Sequence, residues 1–218
     1  MIFPPDLVIF DCDGVLVDSE PLTNVVIRDN LAQHGLDLSI DRIVDLFVGG
    51  TIMGVQESAL EMGADLPEDW VDNIYSEIFE VLADRVEAVP GIIGVLDALD
   101  AAGVAYAVGS NGPHRKMEIT LSRTGLLERL QGRIFSREDV ANPKPAPDVY
   151  LKAAREAGVA PSRCVVIEDS VSGARAGKAA GMVCFGFVAE TDPARLEPIC
   201  DSLFADMTAL PKLMGLPQ

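Results

Sequence analysis

The chain has 218 residues, of which 49% are hydrophobic and 23% charged, enough apolar material for a full-sized core and too much for a disordered or fibrous protein. Seventeen Lys and Arg against 34 Asp and Glu leave a formal charge of −17, which repels a phosphate backbone and argues against nucleic acid as a partner. Apolar runs such as Val165-Val166-Ile167 fall far short of a membrane span, and no basic stretch leads into a long apolar N-terminal region, so a soluble, cytoplasmic protein without a membrane partner is expected.

The first predicted element is a buried strand, Leu7 to Phe10, which ends abruptly in Asp11-Cys12-Asp13-Gly14. From Asp18 to Glu87 no comparable strand occurs, and the periodicity is helical. Leu22 to Leu31, Ile43 to Phe47, Met53 to Met62 and Trp70 to Leu82 each predict a helix. Pro90-Gly91 marks the return to alternating structure. Helices are then expected over Ile92 to Ala102, Pro113 to Gly125, Pro147 to Gly158 and Val171 to Gly181, several opening at Pro and closing at Gly. Strands are expected over Gly103 to Val108, stopping at Gly109-Ser110-Asn111-Gly112, and over Cys164 to Ile167, stopping at Glu168-Asp169-Ser170. This alternation predicts an α/β fold, a doubly wound parallel sheet whose polar strand ends share one rim, interrupted by an all-helical insertion. The expected boundaries are 1–17 and 88–218 for the core and 18–87 for the insertion.

Residues 18–87 contain 16 acidic residues and three arginines (Arg28, Arg42, Arg85), a net of −13, with no lysine. A solvated acidic face accounts for most of this charge, and a surface of this sign also disfavours polyanionic substrates. The four cysteines (Cys12, Cys164, Cys184, Cys200) form no C-x-x-C pair and read as small buried hydrophobes, so no disulfide framework is expected. His34 and His114 are the only imidazoles, which excludes a His-rich zinc site. The chemistry must rest on carboxylates.

Asp11 and Asp13 at a strand end, followed by a glycine able to turn sharply, could divide attack and proton transfer between them, though an isolated D-x-D is equally a polar turn. Ser110-Asn111-Gly112 before Pro113 places backbone N–H groups and a hydroxyl at a helix N-terminus, where they cradle phosphate or simply cap. Lys144 lies in Asn142-Pro143-Lys144-Pro145-Ala146-Pro147, where prolines restrict the loop carrying one long cation; alone it is equally a surface lysine.

Taken together, Phe10-Asp11-Cys12-Asp13-Gly14-Val15-Leu16-Val17-Asp18-Ser19-Glu20, Ser110-Asn111-Gly112, Lys144-Pro145 and Glu168-Asp169-Ser170 closely resemble the haloacid dehalogenase (HAD) superfamily of phosphotransferases. The order of the motifs matches the branch with a helical cap inserted after the first of them, over essentially the whole chain. The resemblance implies a Rossmann-like core with a helical cap, and a Mg²⁺-dependent phosphatase acting on a small phosphorylated substrate. It makes Asp11 the phosphoryl-accepting nucleophile and Asp13 the acid/base. Ser110, Asn111, Gly112 and Lys144 become phosphate-binding residues, and Asp11, Asp13, Glu168 and Asp169 metal-binding ones. Gly49 and Gly50, in Phe47-Val48-Gly49-Gly50-Thr51-Ile52-Met53, are the expected substrate-recognition glycines of the cap. Asp13 argues against C–halogen hydrolysis, the absence of a cap lysine against phosphonate hydrolysis, and Thr23, where β-phosphoglucomutase-type enzymes carry a histidine, against a mutase. A sugar or polyol phosphate phosphatase is expected, with a mutase or a non-catalytic phospholigand-binding module as alternatives. A monomer or weak homodimer is anticipated.

Overall fold

The computed structural model describes residues 4–47 and 51–216. The elements, in chain order, are β1 (Leu7–Phe10), α1 (Glu20–Gln33), α2 (Ile40–Phe47), α3 (Ile52–Glu61), α4 (Trp70–Arg85), α5 (Ile92–Ala102), β2 (Ala105–Ser110), α6 (His114–Arg123) and α7 (Leu127–Leu130). They continue with β3 (Ile134–Ser136), α8 (Asp148–Glu156), β4 (Cys164–Glu168), α9 (Val171–Ala179), β5 (Val183–Phe187), α10 (Pro193–Leu196), β6 (Ser202–Phe204) and α11 (Leu210–Leu213). The six strands form one sheet in the order β3-β2-β1-β4-β5-β6, every pairing parallel.

β1 lies between β2 and β4, and all four of its side chains are buried, as an unbroken Leu-Val-Ile-Phe run requires of a strand covered on both faces. On one face Leu7, Ile9 and Val166 pack with Val149, Tyr150 and Ala153 of α8 and with Ala174 and Ala176 of α9. Small residues on α9 allow this close approach: a Cβ on Gly177 would lie 3.2 Å from Val166. The remaining side chains of β1 and β4, Val8, Phe10, Val165 and Ile167, are equally inaccessible.

The register decides what arrives at the rim. Phe10 lies level with Val108 and with Ile167, and the Asp11 N–H donates to the Ile167 carbonyl at 2.9 Å, so the chain beyond β1 emerges beside Glu168. Two strands run further than their apolar runs indicate, since β2 continues through Ser110 and β4 through Glu168. Backbone pairing with β3 and β5 holds these polar residues in the ladder. β3, β5 and β6 have no separate signature in the sequence: two are three residues long, and β5 is interrupted by Gly186.

By contact the chain divides into two compact units, residues 1–18 with 88–218, and residues 19–87. The second is all-helical. Inside it Ile74, Ile78 and Leu82 of α4 are buried, as are Val26, Ile27 and Leu31 of α1, whose pairing with α4 is the main helix contact of the unit. At its centre the Trp70 indole donates to Asn30 Oδ1 at 2.7 Å, and Asn30 Nδ2 donates to Glu77 Oε1 at 2.9 Å. Thr51 caps α3, accepting from the Gly54 N–H at 3.1 Å, and Arg42 is exposed on α2. Gly49 and Gly50 lie outside the described residues. No helix among the described residues is long and apolar enough to cross a membrane.

Candidate active site

The ends of β1, β2 and β4 and the loop before α8 meet around one ammonium group. Lys144 Nζ donates to Asp11 Oδ1 and to Glu168 Oε1, each at 2.7 Å, and only 3% of its side chain is exposed. It is thus a buried cation, in contrast to the surface lysine its Pro-rich loop also permitted. Asn111 explains how the loop is held: its Oδ1 accepts from the Lys144 N–H at 2.9 Å and its Nδ2 donates to the Lys144 carbonyl at 3.2 Å. Asn111 therefore positions the lysine through its side-chain amide. The Lys144 ammonium also sits 4.7 Å from the centre of the Tyr150 ring.

Glu168, at 0% exposure, is the most heavily bonded carboxylate of the group. Its Oε1 accepts from Lys144 and from the Tyr150 hydroxyl at 2.7 Å, and its Oε2 from the backbone N–H groups of Asp169 and Ser170 and from the Ser170 hydroxyl at 2.9–3.1 Å. Ser170 Oγ in turn accepts from the Gly173 N–H at 3.0 Å and so caps α9. Gly173 makes room for this arrangement, because a Cβ there would overlap the Glu168 carboxylate. Gly14 does the same for Asp169, and its φ of +75° also supplies the sharp turn that follows Asp13.

The electrostatics distinguish the two carboxylates bonded to Lys144. Burial alone would raise the Glu168 carboxyl, but Lys144 and the other donors around it hold it below the ordinary range. Burial pushes Asp11 up to about 7, Lys144 opposing the rise and the charges of Glu168 and Asp13 adding to it. Burial disfavours the Lys144 ammonium, yet the two carboxylates outweigh it and raise its pKa. Of the two carboxylates on Lys144, Glu168 is therefore the one whose charge is the more fully compensated.

Ligand oxygens of Asp11, Glu168 and Asp169 lie within 4.8 Å of one another. Three carboxylates beside one ammonium, with only oxygen donors in the set, suit a hard divalent cation. Glu168 already accepts from Lys144, Tyr150, Asp169 and Ser170, so both of its oxygens are engaged within the cluster. The Asp169 carbonyl accepts from the Thr191 hydroxyl at 2.9 Å.

Asp13 is held differently. Its Oδ1 forms an ion pair at 2.7 Å with Lys116 of α6, both side chains being largely buried. Its Oδ2 would lie 3.5 Å from a Cβ on Gly112, so the carboxylate rests against the Ser110–Gly112 turn. Within that turn the Gly112 N–H donates to Ser110 Oγ at 3.0 Å, and the Ser136 hydroxyl donates to the Gly112 carbonyl at 2.7 Å. Ser110 does not cap α6: that helix opens at Pro113 without a side-chain cap, and the His114 N–H donates to Glu138 Oε2 at 2.9 Å. His114 pairs with Asp139 at 2.8 Å. Cys12, between the two aspartates, is buried, and burial drives its thiol far up, as befits a core residue.

Lys116, Tyr150, Gly173 and Thr191 are the residues around this site that sequence reasoning passes over. Lys116 carries the one readable signal: it lies in the first turn after Pro113, on the helix whose entry loop the Ser110-Asn111-Gly112 motif marks.

A family model described as haloacid dehalogenase-like hydrolase matches residues 5–181. The chain belongs to this family of hydrolases, with phosphatases among its relatives. It is 29% identical to 6-phosphogluconate phosphatase of Escherichia coli, over 95% of this chain and 94% of that one. It is 31% identical to fructose-1-phosphate phosphatase of the same organism, over 80% of this chain and 92% of the relative. Among solved structures, a HAD family hydrolase from Deinococcus radiodurans with bound phosphate and sodium superposes with a TM-score of 0.83 at 34% identity, covering 97% of this chain and 96% of that one. The fold is accordingly the Rossmann-like HAD core with an inserted helical cap.

Proposed function

We propose that the protein is a Mg²⁺-dependent phosphatase that hydrolyses a small sugar or polyol phosphate through an aspartyl-phosphate at Asp11. The observation that carries this reading is the rim cluster in which Lys144 joins Asp11 to Glu168 at 2.7 Å beside Asp169. The substrates named for the two Escherichia coli relatives favour a phosphorylated sugar.

Asp11, Asp169 and the Asp13 main-chain carbonyl would hold the ion, with Glu168 anchoring Lys144 and Ser170 behind them. When bound, Mg²⁺ masks the repulsion between a carboxylate nucleophile and a phosphate dianion. In the first step an Asp11 carboxylate oxygen attacks phosphorus as the bond to the leaving oxygen breaks, and the Asp13 carboxyl gives that oxygen its proton. In the second, the Asp13 carboxylate takes a proton from water as the water oxygen attacks phosphorus. The bond to Asp11 then breaks, releasing phosphate and restoring both carboxyl groups. Lys144 supplies a fixed positive charge for the phosphoryl oxygens, and the Ser110 hydroxyl and the Ser110–Gly112 turn line the same rim. Lys116 acts as a positioning residue that keeps the Asp13 carboxylate beside this turn. The helical unit, residues 19–87, serves as the substrate-selecting cap, with Gly49 and Gly50 in its recognition segment.

The test is phosphate release from a panel of sugar, polyol, glycolate and nucleotide phosphates with Mg²⁺ or with EDTA. Release from sugar or polyol esters that stops in EDTA and returns with Mg²⁺ is expected. Isomer interconversion faster than phosphate release would assign a mutase, and binding without turnover a phospholigand module; either result overturns the reading. Capture of the phosphoryl group on a residue other than Asp11 would overturn the mechanism.

A further inference from the structure

Away from the rim, two of the four thiols face each other. Cys184 Sγ of β5 and Cys200 Sγ, in the segment between α10 and β6, are 3.8 Å apart. The backbone around them is pinned. The Asp201 N–H donates to the Cys184 carbonyl and the Cys184 N–H donates to Asp201 Oδ2, each at 2.8 Å, while Lys178 of α9 bonds both Asp201 oxygens at 2.7–2.8 Å. The two sulfurs thus lie in contact on a backbone that Asp201 and Lys178 hold in place.

Their exposures differ. Cys184 is buried and Cys200 is partly exposed, so a reagent in solution reaches Cys200 first. The shared sulfur hydrogen bond sorts their acidities the same way: it lowers the pKa of the Cys200 thiol and, together with burial, raises that of Cys184. Cys12 and Cys164 are buried and stand as internal controls. The arrangement of an accessible attacking sulfur backed by a resolving one is what thiol–disulfide exchange requires.

We propose that Cys184 and Cys200 form a reversible intramolecular disulfide by exchange with a low-molecular-weight disulfide, with Cys200 the entry sulfur. In the first step the Cys200 thiolate attacks one sulfur of the reagent, a Cys200–S–S–R bond forms, and one thiol RSH leaves carrying the proton Cys200 gave up. In the second, Cys184 loses its proton and attacks the Cys200 sulfur, and the second RSH leaves with that proton. Two protein thiols are oxidised to one disulfide as one RSSR is reduced to two RSH. The mixed disulfide at Cys200 precedes the cross-link. The inference is independent of the phosphatase reading.

The experiment incubates the folded protein with oxidised glutathione, alkylates the remaining thiols at intervals, and identifies the products by peptide mass spectrometry. A mixed disulfide on Cys200 that converts to a Cys184–Cys200 cross-link is expected, with Cys12 and Cys164 alkylated only after denaturation. Cys184→Ser should stop at the mixed disulfide, and Cys200→Ser should take up no glutathione at all. Cross-linking should raise the urea midpoint, and dithiothreitol should return it. A folded protein that stays fully reduced, a wild-type mixed disulfide that never resolves, or a Cys200→Ser variant modified at Cys184 as fast as the wild type would each overturn the proposal. Circular dichroism of the two serine variants establishes that they are folded, and the wild-type result stands without them.

Discussion

In the sheet unit one lysine, with 3% of its side chain exposed, bonds two carboxylates at 2.7 Å, and a third lysine–carboxylate pair, Lys116 with Asp13, is also largely buried. In residues 18–87, by contrast, all 16 acidic residues are exposed, against three arginines. Charge in the first region is held in place by hydrogen bonds and low exposure, so each group feels its neighbours strongly. Charge in the second is solvated and screened, so it acts through its sum. What differs is therefore how a carboxylate is held, and the region with the denser acidic charge buries none of its carboxylates.

Substitutions at matched positions sharpen that contrast, and the largest effect is expected at Asp11. Asp11→Asn should abolish phosphate release while far-UV circular dichroism stays unchanged; substantial residual turnover would remove Asp11 from its proposed role. Lys116→Ala should follow, lowering kcat by roughly 10²-fold with KM little altered, since a misplaced proton-transfer group costs about that much. Lys116→Arg should recover part of the loss, and a change confined to KM would make Lys116 a substrate contact instead.

Gly173→Ala forces a Cβ into the Glu168 carboxylate, and urea unfolding should show destabilisation of roughly 1–3 kcal/mol, as for an overpacked core, with turnover falling as Lys144 loses its anchor. In the helical unit the comparable position is Asn30. Asn30→Ala leaves the Trp70 indole N–H buried without its acceptor and should cost about 1–3 kcal/mol by the same measurement. Glu57→Gln, on the exposed face of α3, should change stability by no more than about 0.5 kcal/mol. A large effect there would mean that the acidic surface is not simply solvated.

Much of this organisation is legible in the amino-acid sequence. β1 reads from Leu7–Phe10 because four consecutive apolar residues bounded by Asp6 and Asp11 leave no other burial pattern, and α5 and α9 begin where their Pro, Gly and Ser signals place them. The resemblance carried by the four motifs extends to family and fold. The length of β2 and β4 is less legible, because Ser110 and Glu168 are polar residues that a strand accepts only when neighbouring strands take up their backbone groups. β3 and β6, with three residues each, carry too little pattern to be recognised alone.

The types of residue available for chemistry, their order along the chain and the sign of each region's charge are set by the sequence, since they are covalent facts. Which groups touch is a tertiary matter. Asp11 and Lys144 are 133 positions apart and bond because β1 and β2 lie side by side and Asn111, just past the end of β2, ties the lysine's loop there. Lys116 finds Asp13, and Cys184 finds Cys200, for the same reason: separation along the chain says nothing about distance until parallel strands and their crossover helices have fixed the register.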